Sequence, residues 1–262
     1  MYRLAAACVL LAASLIAQPS PALSSLRFEV ASLKPSQSAE RGGGIRPAPG
    51  GQRYEATNCS IKLMIQAAYR VKAEQIIGGP GWLDTDHYDM EAKAEKPSSP
   101  DELHVMLINL LADRLHLQFH QEKREMRRYV LTVAKDGPKL TRHDAANAGQ
   151  PWIDVSQERF LHMKLHATYA PINYFAFRLS QMMDLPVVDE TNLPGGYDFT
   201  LEYTRDLPPG LPPGAMLNGE YPDTSGPTVF EAVKQQLGLE LKAQKGPVRV
   251  IVIDRAEKPT AN

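Results

Sequence analysis

The chain has 262 residues, 43% of them hydrophobic and 23% charged, a globular composition that excludes collagen-like, coiled-coil and wholly disordered architectures. Basic residues number 29 and acidic residues 30, so the formal net charge is -1 and no global positive field exists for nucleic acid or an anionic membrane. One large domain or two small ones fit this length.

Arg3 is followed by an uncharged apolar run from Leu4 to Ala17, and Ala17 to Ala22 offers small residues for cleavage. This predicts a secretory signal peptide over residues 1–22 and export to the periplasm or the extracellular space. The run is shorter than the roughly 20 residues that span a bilayer, and no second apolar run follows, so no transmembrane segment is expected after cleavage. Cys8 precedes most of the apolar run instead of closing it, which argues against lipidation. Only Cys59 then remains, so no internal disulfide forms and the fold must rest on its hydrophobic core. Cys59 opens an apolar-periodic segment and is expected as a small buried residue.

An alternating stretch around Phe28 and Val30 comes first, and the glycine-rich Arg41 to Gly51 reads as a mobile loop. Asn58 or Ser60 can cap a helix whose apolar residues Ile61, Met64, Ile65, Ala68 and Tyr69 share one face. A brief strand at Gln75 to Ile77, a turn at Gly78 to Gly81 and an alternating strand from Tyr88 to Ala94 follow. Ser99 and Glu102 form a capping box with Pro100 at the first helical position, ahead of Leu103, Met106, Leu107, Leu110 and Leu111. Leu115, Leu117 and Phe119 alternate, the charged run Gln121 to Arg128 makes a connection in which the mixed signs of Glu122 to Arg128 read as a solvated hairpin end, and Tyr129 to Val133 closes with a strand.

The second half repeats this order after a polar linker. Leu161, Met163 and Leu165 alternate ahead of Ala167-Thr168, which matches Ala56-Thr57. Thr168 can cap a helix carrying Ile172, Phe175, Ala176 and Leu179, Pro186 to Asp189 gives a brief strand, and Tyr197-Asp198 matches Tyr88-Asp89. Thr228 and Glu231 form a second capping box, and Leu239 to Leu241 with Val248 to Ile253 read as a hairpin turning at Lys245-Gly246-Pro247. The expected fold is therefore α+β, two similar β-α-β-β-α-β-β subdomains arising by internal duplication. The boundaries are 1–22 signal peptide, 23–140 first subdomain, 141–158 linker and 159–262 second subdomain, with a proline-rich surface insertion at 206–227.

Phe28-Glu-Val-Ala-Ser-Leu-Lys-Pro35, Ala56-Thr-Asn58, Gly78-Gly-Pro-Gly-Trp-Leu-Asp84, Asp86-His-Tyr-Asp89, Leu111-Ala-Asp-Arg114 and Tyr197-Asp-Phe-Thr-Leu201 together resemble an uncharacterised secreted domain-of-unknown-function family. That family is expanded in acidobacterial soil bacteria, and its copies are sometimes appended to membrane-bound antirepressor metallopeptidases of the antibiotic-sensor kind. The resemblance covers nearly all of the chain after residue 22. His87 stands where the family usually has arginine, and the family transfers no catalytic residue. Val187 to Ile253 is also similar in pattern to the short N-terminal domain of secretins and TonB-dependent receptors, which implies a protein-binding module.

Chemical motifs are sparse. His116 and His120, like His162 and His166, are four apart on segments read as strands, where roughly 13 Å separates them and one metal ion cannot bridge. Asp84, Asp86 and Asp89 lack the glycine and distal glutamate of a calcium loop and suit turn chemistry. No nucleophile elbow, zinc helix, phosphate loop or dinucleotide fingerprint occurs. These readings point to an exported, non-catalytic binding or interaction module of the cell envelope, with no cofactor and no metal. Its partner is an envelope protein recruited by strand addition at exposed sheet edges, tested there at Tyr129 to Val133 and Val248 to Val252. Trp82, Tyr88, Asp89, Tyr197 and Asp198 are its candidate partner-binding residues. Two other classes stay open: a secreted hydrolase using Asp86, His87 and Asp89, and a small-ligand sensor.

Overall fold

The structure, a computed structural model, describes residues 25–38, 43–48, 50–143, 151–158, 161–207, 210, 216 and 221–260. The predicted signal peptide and half of the proline-rich insertion lie outside the described residues. The fold is α+β, as expected, and is built on three four-stranded sheets.

The first sheet orders β1 (Val30–Pro35), β5 (His87–Lys93), β3 (Arg53–Ser60) and β2 (Gly44–Pro47), all antiparallel. The third orders β7 (Thr141–Arg142), β11 (Gly196–Thr204), β9 (His162–Pro171) and β8 (Trp152–Gln157), again antiparallel. The two share one topology, strand for strand. The middle sheet is a long antiparallel ribbon of β6 (Gln118–Val133) and β12 (Leu239–Arg255). Its outer members are exchanged between the halves: β4 (Ile76–Gly78) runs parallel to β12, and β10 (Val187–Asp189) runs parallel to β6.

Helix ends follow the local chemistry. Helix α1 (Ile61–Tyr69) starts where the Ser60 hydroxyl accepts from Leu63 N–H, and it buries Ile61, Met64, Ile65 and Ala68. A four-residue helix, α2 (Trp82–Thr85), was not anticipated in the turn before β5. Helix α3 (Pro100–Leu115) carries the expected capping box, in which the Ser99 hydroxyl accepts from Glu102 N–H while the Glu102 carboxylate accepts from Ser99 N–H. Replacing Ser99 by Ala is expected to cost about 1 kcal/mol, measured as a lowered urea midpoint at unchanged slope. Helix α4 (Ile172–Met182) begins after Pro171, so Thr168 does not cap it and instead pairs with Trp152 inside the third sheet. Proline with φ -62 suits that boundary, where the chain leaves β9 for the helix. Helix α5 (Val229–Leu237) has the expected Thr228–Glu231 box and stops at left-handed Gly238.

Four further expectations are corrected. The segment Arg41 to Gly51, read as a loop, contains β2; a Cβ on Gly43 would lie 2.0 Å from the Asn58 carbonyl oxygen, so glycine is what lets this strand reach β3. Lys245-Gly246-Pro247 does not turn, and the charged run Gln121 to Arg128 ends no hairpin, because these residues face each other along the ribbon: Lys245 opposite Arg127, Gly246 opposite Met126, Pro247 opposite Glu125. Ala134 N–H donates to Gly238 C=O, and ladder bonds alternate, so the nitrogen of Pro247 faces away from β6, where no donor is required. Gly246 leaves room for the Arg128 guanidinium, which donates to Pro247 C=O and pairs with Glu190 at 2.9 Å. Each half therefore ends in one long strand, and the β-α-β-β-α-β-β order loses its last hairpin. The segment 141–158 carries β7 and β8.

Two cores lie at the two ends of the ribbon. The first joins Tyr54, Met64, Met90, Leu107 and Leu111 with Ile251 and Ile253 of β12. The second joins Phe175, Leu179, Leu201 and Val233 with Leu131 of β6 and Leu239 of β12.

Candidate functional site

Each helix of the pair α1 and α4 buries one face and leaves the next one open. On α1 the open residues are Leu63, Gln66 and Ala67; on α4 they are Tyr174, Phe177, Arg178 and Gln181, at helical spacing. The terminal strands β2 and β8 of the outer sheets stand beside them, and together they enclose a cleft of about 1090 Å³ between the two halves. Its floor is tied across the halves: the Arg70 guanidinium lies 4.9 Å from the Tyr174 ring centroid, and Lys72 Nζ donates to the carbonyls of Ser180 (2.8 Å) and Met183 (2.5 Å).

The two walls differ although their topology is the same. Gly43, Gly44, Gly50 and Gly51 bare the backbone on the first-half side, while Trp152, Tyr174 and Phe177 present aromatic faces on the second. Trp152 is 49% exposed, and the Tyr174 and Phe177 rings stack at 6.4 Å. Tyr54 closes the first-half side, its hydroxyl 3.4 Å from His104 Nε2. Burial pushes that hydroxyl well above the ordinary tyrosine range, against the pull of Arg70, so it stays protonated. The carboxylate of Asp154 on β8 makes no hydrogen bond or ion pair among the described residues, so the described lining holds one carboxylate and one imidazole with no bond between them. That arrangement can bind and orient a ligand; it contains no assembled acid–base pair.

None of the residues singled out from sequence lines this cleft. Trp82 opens α2, half-buried against the first core with Lys258 Nζ 6.0 Å from its ring centroid. Tyr88 and Tyr197 are buried, one in each core. Asp89 and Asp198 occupy matching places in β5 and β11, and each accepts a backbone N–H at 2.7 Å, from Asn58 and from Tyr169. Those two donors are left-handed bulge residues, φ 48 and 49, in β3 and β9. The repeated Tyr-Asp pair thus fastens a strand bulge in each half.

The hydrolase candidates are not assembled into a catalytic group. Asp86 pairs with Lys258 at 2.6 Å, which holds its carboxyl low, His87 Nδ1 lies 3.1 Å from the Thr85 carbonyl, and Asp89 is occupied by the bulge. His116 sits at the left-handed C-cap of α3 and His120 on β6, between Asp254 and Glu122. Cys59 is buried, its thiol pushed up by that burial against the Thr57 carbonyl. Among the described residues no group of three His, Cys, Asp or Glu could hold a metal ion, and no helix is long and apolar enough to cross a membrane. Of the test positions, Tyr129 to Leu131 lie between β10 and β12 and Ile251 and Val252 between β6 and β4, whereas Thr132, Val133 and Val248 to Val250 have a described strand partner on one side only. Among the described strands the sheet edges are β1 and β2, β7 and β8, and β10 and β4.

Sequence reading missed the cleft because its strands were assigned to a loop and a linker. The alternation of Ile153 and Val155 with Asp154 and Ser156, beside an aromatic residue, was the available signal for β8.

Fold and cleft define an α+β protein whose two topologically matched sheets share a central ribbon and face a common groove. The chain belongs to the family described as Protein of unknown function (DUF3738), whose sequence model matches residues 62–256. Comparison with curated proteins and with solved structures returned no match.

Proposed function

We propose that this protein is an exported, non-catalytic binding module of the cell envelope that takes an extended segment of a partner protein into the cleft between β2 and β8. The observation that carries this reading is the meeting of two terminal sheet strands in one groove with an aromatic wall. Unpaired strand edges present rows of N–H and C=O groups that an added strand satisfies, and flanking apolar faces take its side chains. The signal-like first 22 residues support export. The shared strand order of the outer sheets supports an origin by internal duplication, which would have brought the two edges to one axis.

Gly44 offers a direct test, since its ideal Cβ meets nothing within 4 Å and its topological counterpart is Trp152. Gly44→Trp should fill the cleft with the fold intact. Decapeptides tiled over the envelope proteins of the host, arrayed and probed with residues 23–262, should give a binding subset that this variant loses. An array without binders, or one that Gly44→Trp leaves unchanged, would refute the reading.

A further inference from the structure

The two edges of the cleft are not equivalent. Glu158 N–H donates to His162 C=O at 3.0 Å, and antiparallel bonding alternates, so Trp152, Asp154 and Ser156 turn their backbone groups to β9 while Ile153, Val155 and Gln157 turn theirs outward. The same reasoning on β2, from Ala48 N–H donating to Arg53 C=O at 2.9 Å, leaves Ile45 and Pro47 outward. Pro47, opposite Tyr54, holds the place that Val155 holds opposite Leu165, and it brings no N–H. The β2 edge is therefore blunted by proline, a common protection of sheet edges, and the β8 edge is complete.

Charge on the walls adds a second constraint. Arg46 and Arg178 line the cleft, their side chains make no hydrogen bond or ion pair among the described residues, and the Nε of Arg178 is buried without a partner. Among the described lining residues, two guanidinium groups stand against the one carboxylate of Asp154. A buried, unpaired guanidinium nitrogen is costly and is relieved by an oxyanion, which arginine binds in a fixed planar geometry.

We infer that β8 is the docking edge and that its occupant is an extended acidic segment of a protein. Backbone pairing would run along Ile153 and Val155, with an Asp or Glu carboxylate on Arg178 and a neighbouring apolar side chain on the Trp152, Tyr174 and Phe177 wall. This deepens the binding-module reading and rests on it.

The test is panning of a random decapeptide library on residues 23–262, followed by fluorescence anisotropy with the enriched peptides. Enrichment of Asp or Glu beside apolar residues at two-residue spacing is expected. Val155→Pro, which removes only an outward-facing donor and so preserves pairing with β9, should abolish binding, whereas Pro47→Val should leave it unchanged. Arg178→Gln should weaken binding roughly tenfold or more, the scale of one charge-assisted hydrogen bond, with partial rescue by Arg178→Lys. Methylating alternate backbone nitrogens of a bound peptide should abolish binding in one phase of the alternation and spare it in the other, a readout independent of any protein variant. Binders without acidic preference, binders indifferent to Arg178→Gln, or binders lost in a Pro47-dependent manner would overturn this inference and leave the module reading standing. A library with no binder at all would overturn both.

Discussion

Ile251→Ala is expected to destabilise the whole molecule, both halves together, by about 2–5 kcal/mol. Ile251 is 1% exposed and belongs to the first core, yet it lies on β12, whose Leu239 and Leu241 belong to the second. The same strand pairs with β6 over nearly its full length and with β4 from the first half. A cavity at Ile251 thus weakens a strand that both cores need, and loss of one core strips the ribbon from the other. Trp82 and Trp152 report the halves separately, so urea unfolding can be followed by fluorescence in Trp82→Phe and Trp152→Phe backgrounds. The two reporters should shift together, by the same amount, with one transition each. A shift confined to the Trp82 reporter would show that the halves unfold independently and would disprove the shared-strand argument.

Loss of the Asp198 carboxylate should cost nearly as much and should change the acid limit of stability. Asp198 accepts from Tyr169 N–H at 2.7 Å, and its other oxygen lies 2.7 Å from His143 Nδ1. Tyr169 is held in the left-handed region, which costs a non-glycine residue roughly 1–2 kcal/mol, and its amide has the carboxylate as its partner. In Asp198→Ala the strain remains and the amide is unpaired, so a loss of about 1–3 kcal/mol is expected. Burial alone would raise the Asp198 pKa, but the Tyr169 amide and the His143 ring outweigh it and hold the carboxyl below the ordinary range. A lowered folded-state pKa means that the unfolded chain binds the proton first. This contribution is therefore complete above the ordinary carboxylate range, near pH 4, and is lost as pH falls through the depressed value. Asp198→Asn keeps an acceptor and removes the titration, so its stability should be flatter than wild type in that acidic window; an unchanged slope would contradict the assignment. Asp89, which holds Asn58 in the same way, should behave alike on substitution by Ala.

Much of the local structure was legible before any coordinates. Ser60, Ser99-Pro100-Asp101-Glu102 and Thr228 to Glu231 announced three helix starts because capping is settled among residues three apart, and Gly238 announced a stop for the same reason. The apolar spacing of Ile61, Met64, Ile65 and Ala68 assigned the buried face of α1 correctly. Thr168 misled because its capping chemistry is real but was pre-empted by the pairing of β9 with β8. Lys245-Gly246-Pro247 misled for a related reason: glycine and proline permit a turn without compelling one, and the facing strand β6 keeps them extended. The Tyr-Asp repeat was noticed, but its use could not be read, since the amides it binds belong to residues about thirty positions away on another strand.

By itself the sequence determined the α+β class, the matching order of elements in the two halves, the helix boundaries set by caps, and most of the buried faces, all of which depend on interactions within a few residues or on periodicity. The tertiary structure alone decided that β4 and β10 cross to the opposite half, that each half ends in one long strand of a shared ribbon, and that β2 and β8 meet in a cleft with Arg178 in its wall. Those outcomes depend on strand partners far apart in the chain, and the free energy that selects one pairing over another is held by both partners together, so neither segment displays it when read by itself.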